Sequence, residues 1–240
     1  MSAMPSGPTG MAGRETTATL KGRDLRRVFG RGDTVVEALA GVDIEVHAGE
    51  LTVVTGPSGS GKTTLLNLLG GLDRPTSGTV TLDDGRVLSA LPDAGALAAR
   101  RERIGYVFQT FGLIPVLSAA ENIEVPLRLA GVAPAERAAR VAEILERVGL
   151  ARHARQRPNE LSGGQQQRVG VARALVGNPD ILIADEPTGQ LDSDTAATIM
   201  DLIVELTHER GLASVVSTHD PLLIQRADRI VRLLDGAIAP

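Results

Sequence analysis

Gly56-Pro57-Ser58-Gly59-Ser60-Gly61-Lys62-Thr63 carries the densest chemical signal in the chain. Its glycines let the backbone curl until successive N–H groups point into one concavity, a nest for an anion. A buried strand is expected before it and a helix after it, so the positive end of a helix dipole reinforces the nest. In that setting the Lys62 ammonium reaches the β- and γ-phosphates of a nucleoside triphosphate. The Thr63 hydroxyl, with Thr64 beside it, ligates Mg²⁺. Lys21 and Lys62 are the only lysines; every other basic residue, His aside, is Arg. A compact ammonium fits between phosphates where a planar guanidinium fits poorly.

Ile181-Leu182-Ile183-Ala184-Asp185-Glu186 is the second signal. Four apolar residues make a buried strand with two acids at its C-terminal end, the end at which open α/β sheets bind ligands. Asp185 is placed to hold the Mg²⁺ shell, and Glu186 to orient or deprotonate an attacking water. Guanine readers use an Asn/Thr-Lys-x-Asp element, but Lys21 follows Leu20 and Lys62 follows Gly61. Guanine specificity is therefore not expected, and the two motifs leave open which P-loop NTPase this is.

A second nest is encoded at Leu161-Ser162-Gly163-Gly164-Gln165, followed by Gln166-Gln167-Arg168. A Ser and two glycines opening a helix present N–H groups to an anion. One chain cannot easily turn both nests onto a single γ-phosphate. With this pentapeptide come Gln109 after a strand, the loop Gly189-Gln190-Leu191-Asp192, and His219 after another strand. On these strings the chain resembles the ABC ATPase family over about residues 19–236.

The resemblance implies a homodimer in which the Ser162-Gly163-Gly164 turn of one copy, with Gln165, closes on ATP held by the phosphate loop of the other. It makes Gln109 a Mg²⁺ contact that links the site to a membrane partner, and His219 a γ-phosphate contact. Lys62, Gln109, Glu186 and His219 form the catalytic set; Thr63, Gln109 and Asp185 form the metal set. Asp192 communicates across the dimer and also suits the N-cap of the helix that begins there. Phe29 lies at the adenine-stacking position, with a core phenylalanine as the alternative. His47, His153 and His208 are expected at the surface.

Gln109-Thr110-Phe111-Gly112-Leu113-Ile114-Pro115, Glu121–Leu127 and Asp185–Asp192 resemble the branch of macrolide-export and lipoprotein-release ATPases, where Asn is usual at the position of Gln190. This implies an integral-membrane permease partner with an extracytoplasmic domain, powered for export or for mechanotransmission, and a place at the inner face of the cell membrane. Phe111–Leu127 is the candidate docking surface, with core packing as the alternative reading for each residue. Two further readings stay open: an ATPase that regulates a cell-wall hydrolase through a membrane partner, and a soluble ABC ATPase acting on DNA or ribosomes. The absence of sustained heptads disfavours the second.

The elements that must position these residues follow from pattern. With 240 residues, 42% of them hydrophobic, the chain can bury a sizeable core. A formal charge of −4 argues against a nucleic-acid-coating surface, and the absence of cysteine excludes disulfides and thiol catalysis. No apolar run approaches the roughly 20 residues that cross a bilayer. Met1–Thr17 reads as a disordered lead-in without a secretory apolar block. From Thr19 to Val54, short apolar runs punctuated by glycines suggest short strands and tight turns. After Leu175, strands and helices alternate, which implies a mostly parallel sheet. The expected fold is an α/β P-loop NTPase with a RecA-like core, an N-terminal antiparallel β subdomain, and a helical subdomain inserted over about 112–165. The ATPase domain is expected over 18–236. If Phe29 stacks on adenine, Phe29→Ala weakens ATP binding by about 1–3 kcal/mol. A nucleotide titration checks this, and unchanged affinity removes the ring from the site.

Overall fold

The computed structural model describes residues 18–30, 34–189 and 191–239. The lead-in expected over 1–17 and the substitution noted at Gln190 lie outside the described residues. In chain order the elements are β1 (Leu20–Phe29), β2 (Val36–Val46), β3 (Leu51–Thr55), α1 (Lys62–Leu69), β4 (Ser77–Leu82), α2 (Asp93–Arg103), β5 (Ile104–Val107), α3 (Ala119–Leu129), α4 (Pro134–Arg147), α5 (Gly163–Leu175), β6 (Ile181–Asp185), α6 (Ser193–Arg210), β7 (Ala213–Ser217), α7 (Pro221–Gln225), β8 (Arg229–Leu234) and β9 (Ala237–Ile238).

The continuous apolar runs become the buried strands of one sheet, ordered β5-β6-β7-β3-β8-β9. Its β5/β6, β6/β7, β7/β3 and β3/β8 pairs are parallel, and only β8/β9 is antiparallel. Every residue of β6 and β7 is buried. Alternation sorts them into two layers. Leu51, Val53, Leu182, Ala184 and Val216 face the core shared with α3, α4, α5 and α6. Val54, Ile181, Ile183, Ala213 and Val215 face the core shared with α1 and the second sheet. That second sheet, β2-β1-β4, is fully antiparallel.

The strands of the antiparallel sheet are longer than their punctuation suggested: β1 has 10 residues and β2 has 11. Gly41 marks a bulge inside continuous β2, whereas Gly30 and Gly49 stand between strands. Register shifts fall on both sides of Leu25, where Asp24 takes φ 41°, while Gly41 sits within β2 at φ 100°. Sequence pattern also gave no notice of α2, whose buried residues are only Ala96 and Ala99. Nor did it mark β9, which pairs with β8 beyond residue 236.

Between β5 and α5 the chain is helical. Ser118 and Glu121 form a reciprocal capping box at the start of α3. Pro134 opens α4 as expected of its fixed φ. The α4 stripe Val141, Ile144, Leu145 and Val148 is buried, as is Ile199, Leu202, Ile203 and Leu206 on α6. Gly211 ends α6 in left-handed backbone at φ 67°.

One backbone approach locks the sheet edge to this helical layer. A Cβ on Gly105 of β5 would sit 2.3 Å from the Ala174 carbonyl oxygen of α5. Gly105→Ala therefore forces β5 and α5 apart. The expected cost is about 1–3 kcal/mol, the range for overpacking. Urea unfolding measures it, and an unchanged midpoint means the helix can move away freely.

Candidate functional site

Parallel strands end together, so the sheet gathers the loops after β3, β5, β6 and β7 at one edge. A cavity of about 790 Å³ opens there. Gly56, Pro57, Ser58, Gly59, Gly61, Lys62, Thr63 and Thr64 line one wall, and Gln109, Glu186 and His219 the other. Val36, Glu37, Ala38, Asp235 and Gly236 complete it from β2 and the β8–β9 turn. These last five gave no sequence signal, because they reach the site only through tertiary packing.

The phosphate-type loop is held by its neighbours' backbone. A Cβ on Gly56 would lie 2.1 Å from the Leu233 carbonyl oxygen, and one on Gly61 would lie 2.4 Å from that of Ala38. Both glycines also take positive φ, 150° and 102°. The Gly236 N–H donates to the Ser60 carbonyl at 3.1 Å, which ties the loop to the β8–β9 turn. The Ser60 hydroxyl is buried and has no hydrogen-bond partner among the described residues. No side chain caps α1 at Gly61. The first N–H groups of that helix therefore face the cavity end unclaimed by a cap. Lys62 is buried, and its ammonium donates to the Gly56 and Pro57 carbonyls at 2.9 and 3.1 Å.

Opposite stands the acid pair. Asp185, at the end of β6, is buried and accepts a 2.6 Å hydrogen bond from the Ser217 hydroxyl. The same hydroxyl accepts from the Glu186 N–H at 3.0 Å, and the Ser217 carbonyl accepts from it at 3.1 Å. Glu186 takes φ 44°, a left-handed conformation uncommon for a residue with a side chain. Its carboxylate lies 3.6 Å from His219 Nδ1. The Thr218 N–H donates to the Val54 carbonyl, which fastens the strand end before His219 to β3. Ser217 is thus a site-building residue that sequence reading passed over. Its only trace was a polar residue closing a fully buried strand that also holds Ser214.

Burial, then the nearby Asp185 charge, push the Tyr106 phenol well above its ordinary pKa. Its hydroxyl donates to Asn67 on α1 at 2.9 Å, so β5 and the helix behind the phosphate-type loop are cross-braced.

Ser162, Gly163, Gly164 and Gln165 lie outside this cavity. Ser162 caps α5, accepting from the Gln165 N–H at 3.3 Å, while the Gln165 side chain accepts from the Ser162 N–H at 2.8 Å. A Cβ on Gly164 would fall 2.6 Å from Thr195 Cγ2, so this turn packs on the start of α6. Asp192 caps α6, accepting from the Thr195 N–H at 3.0 Å, and that hydrogen bond holds its carboxyl below the usual range. The structure brings together the residues at Gly56–Thr64, Gln109, Glu186 and His219, with Asp185 behind them. It leaves the 162–165 turn and Asp192 apart from them.

Phe29 is 41% exposed, so the core alternative fails. The Arg27 guanidinium lies 4.3 Å from its ring centroid. Phe29 pairs with Val36, a cavity residue, across β1 and β2. The Phe111–Leu127 stretch divides: Ala119, Ile123 and Leu127 belong to the core, whereas Ile114 and Val116 are exposed. His153 departs from the surface expectation. It is half-buried, 2.6 Å from Gln156 Oε1 and 3.4 Å from Gln165 Nε2, a contact that only folding creates.

Comparison with known proteins gives one family match, three relatives and one similar solved structure. The profile of the ABC transporter family matches residues 39–189. The macrolide export ATP-binding/permease protein MacB of Syntrophobacter fumaroxidans is 46% identical over 220 residues, which are 91% of this chain and 31% of MacB. The pyoverdine export ATP-binding/permease protein PvdT of Pseudomonas fluorescens is 49% identical over 218 residues, 90% of this chain and 33% of its own. The protein named "Uncharacterized ABC transporter ATP-binding protein" of Thermotoga maritima is 47% identical over 215 residues, 90% of this chain and 91% of its own. The chain thus spans about a third of the MacB and PvdT relatives. Among solved structures, it is similar to the dimeric ATP-binding cassette MJ0796 in a post-hydrolysis state with ADP and Pi. The TM-score is 0.87 at 42% identity, covering 92% of this chain and 97% of that one.

Ser217→Ala removes a hydroxyl that serves both members of the acid pair. Leaving the buried Asp185 carboxylate short of a donor is expected to lower stability by about 1–3 kcal/mol. Denaturant unfolding reads this directly, and wild-type stability means that Asp185 draws its hydrogen bonds from elsewhere.

Proposed function

This chain belongs to the ABC transporter family, and we propose that it is the ATP-hydrolysing part of a transporter, working as a pair of copies that hold two Mg-ATP between them and drive a membrane permease. The observation that carries this is the convergence of Lys62, Gln109, Glu186 and His219 around the uncapped start of α1.

The residues fit their ligand. Gly56 and Gly61 let the loop lie against the Leu233 and Ala38 carbonyls, where any Cβ would clash, and the Ser60 hydroxyl and the α1 N–H groups supply donors for phosphate oxygens. Phosphate oxygens replace the Gly56 and Pro57 carbonyls as acceptors for the Lys62 ammonium. Phe29, exposed at the edge of β1 beside the cavity strand, offers adenine its platform. The donors for Mg²⁺ are hard oxygens: the Thr63 hydroxyl, the Gln109 amide oxygen and the Asp185 carboxylate. Among the described residues, no three His, Asp or Glu side chains converge to cage a metal alone. That fits a cation shared with substrate phosphates. Bound there, Mg²⁺ neutralises charge developing on the phosphates.

Glu186 takes the proton of, or orients, the water that attacks the γ-phosphate. Its left-handed backbone turns the chain back at the sheet edge, with His219 alongside to contact the same phosphate. The Ser162 turn lies outside the cavity and completes the site of a second copy. Closure is favoured because the closed pair gains contacts that the open one lacks. Among the described residues, no helix is long and apolar enough to cross a membrane. The permease supplies that part, with the ATPase on the inner face. The exposed Ile114 and Val116 loop, close in sequence to Gln109, is the surface offered to it. The buried Asn122 amide braces that loop, accepting from the Ile114 N–H at 2.7 Å and donating to the Leu117 carbonyl at 3.0 Å. Export, as named for MacB and PvdT, is the direction this reading favours.

Glu186→Gln tests the chemistry. The variant is expected to bind ATP, lose roughly 10²–10⁴-fold in turnover, and accumulate as an ATP-dependent dimer. Phosphate release and sedimentation measure the two effects; wild-type turnover contradicts the assignment.

A further inference from the structure

Arg173 lies in the last turn of α5, the helix that opens at Ser162. Its Nη1 donates to the Gly112 carbonyl at 2.6 Å, and its Nη2 donates to the Phe111 carbonyl at 3.0 Å. Both acceptors stand in left-handed backbone, φ 60° at Phe111 and φ 58° at Gly112. For Phe111 that conformation is uncommon and needs outside support. The turn's own bonds, Phe111 N–H to Phe108 carbonyl at 3.3 Å and Gly112 N–H to Thr110 carbonyl at 2.6 Å, leave the two carbonyls to the guanidinium.

Burial alone lowers the Arg173 pKa, and no carboxylate contributes to its environment. Holding a half-buried guanidinium without a counter-charge gives up solvation, which the two carbonyls replace. A Cβ on Gly112 would come 3.2 Å from the Phe108 ring and 3.4 Å from the guanidinium, so the turn is seated closely against both. The clamped turn begins two residues after Gln109, and the helix behind it runs roughly 16 Å back to the Ser162 cap at 1.5 Å per residue.

We propose that Arg173 is a positioning residue that locks the Gln109 loop to the helix bearing the Ser162 turn, so that the two move as one piece. This rests on the reading of Gln109 and Ser162 as site residues. When α5 shifts to bring Ser162 onto the other copy's nucleotide, the guanidinium carries the Phe111–Gly112 carbonyls with it. Gln109 is thereby set in its own copy's cavity.

A double-mutant cycle on ATP turnover tests this, using Arg173→Met, Gln109→Ala and the pair. Arg173→Met is expected to lower kcat roughly 10–100-fold, the scale of a misplaced group, with KM for ATP little changed. Arg173→Lys, which keeps a donor for one carbonyl, recovers part of the loss. In the Gln109→Ala background Arg173→Met should cost almost nothing more, because residues acting through one another are not additive. Equal losses in both backgrounds, or a raised KM with kcat intact, overturn the proposal. If Arg173→Met does not fold, Arg173→Gln goes through the same cycle with the same criteria. If Gln109→Ala leaves turnover unchanged, the parent reading of Gln109 fails. The clamp is then judged by backbone hydrogen exchange over 108–113. Faster exchange in the Arg173 variant with α5 unchanged upholds it, and unchanged exchange overturns it.

Discussion

The N–H groups that open α1 have no side chain to accept them, and much of the molecule is arranged around that debt. A helix start left uncapped at a sheet edge is stable when an anion or water takes the cap's place. The crowding carbonyls of Leu233 and Ala38 fix the glycine loop so that those groups share one concavity with Lys62. The parallel sheet then delivers Gln109, the Asp185-Glu186 pair and His219 to the same edge, at the ends of β5, β6 and β7. Ser217 shows how local the tuning is: one hydroxyl serves both the Asp185 carboxylate and the Glu186 amide.

The second helix start is treated differently. Ser162 and Gln165 satisfy each other at the head of α5, and Gly164 presses on Thr195 of α6. This turn is capped and lies outside the cavity, which suits it to meet a ligand presented from outside its own protomer. Two nests on one chain, one beside Gln109, Glu186 and His219 and one apart from them, fit the proposed pair of copies. Arg173 then links the outward nest to the inward site through a stretch of helix and two carbonyls.

Where structure depends on neighbours in sequence, the chain could be read directly. The glycine loop, the buried strands around Val53 and Ile183, and the Asp192 cap rest on residues a few positions apart. Reading weakened where distant segments decide. Gly41 looked like a turn and is a bulge in a long strand, because β1 supplies the pairing that carries β2 through it. The α2 helix buries two alanines and so left almost no apolar period. Ala38 and Gly236 enter the cavity by crossing from another sheet and from the β8–β9 turn. His153 became a neighbour of Gln165 only through the turns before α5. Phe111–Leu127 mixed two fates, since alternate faces of α3 and its preceding loop go to core and to solvent.

The central claim is that Lys62 of one copy and the Ser162 turn of its twin grip one γ-phosphate. Sedimentation of the Glu186→Gln chain in ATP, with and without Ser162→Arg added, tests it most directly. The account predicts that Ser162→Arg abolishes the ATP-dependent pair while each lone copy binds ATP as before. A pair that persists, or lone protomers that hydrolyse ATP when Ser162→Arg is placed in the otherwise native chain, contradicts it.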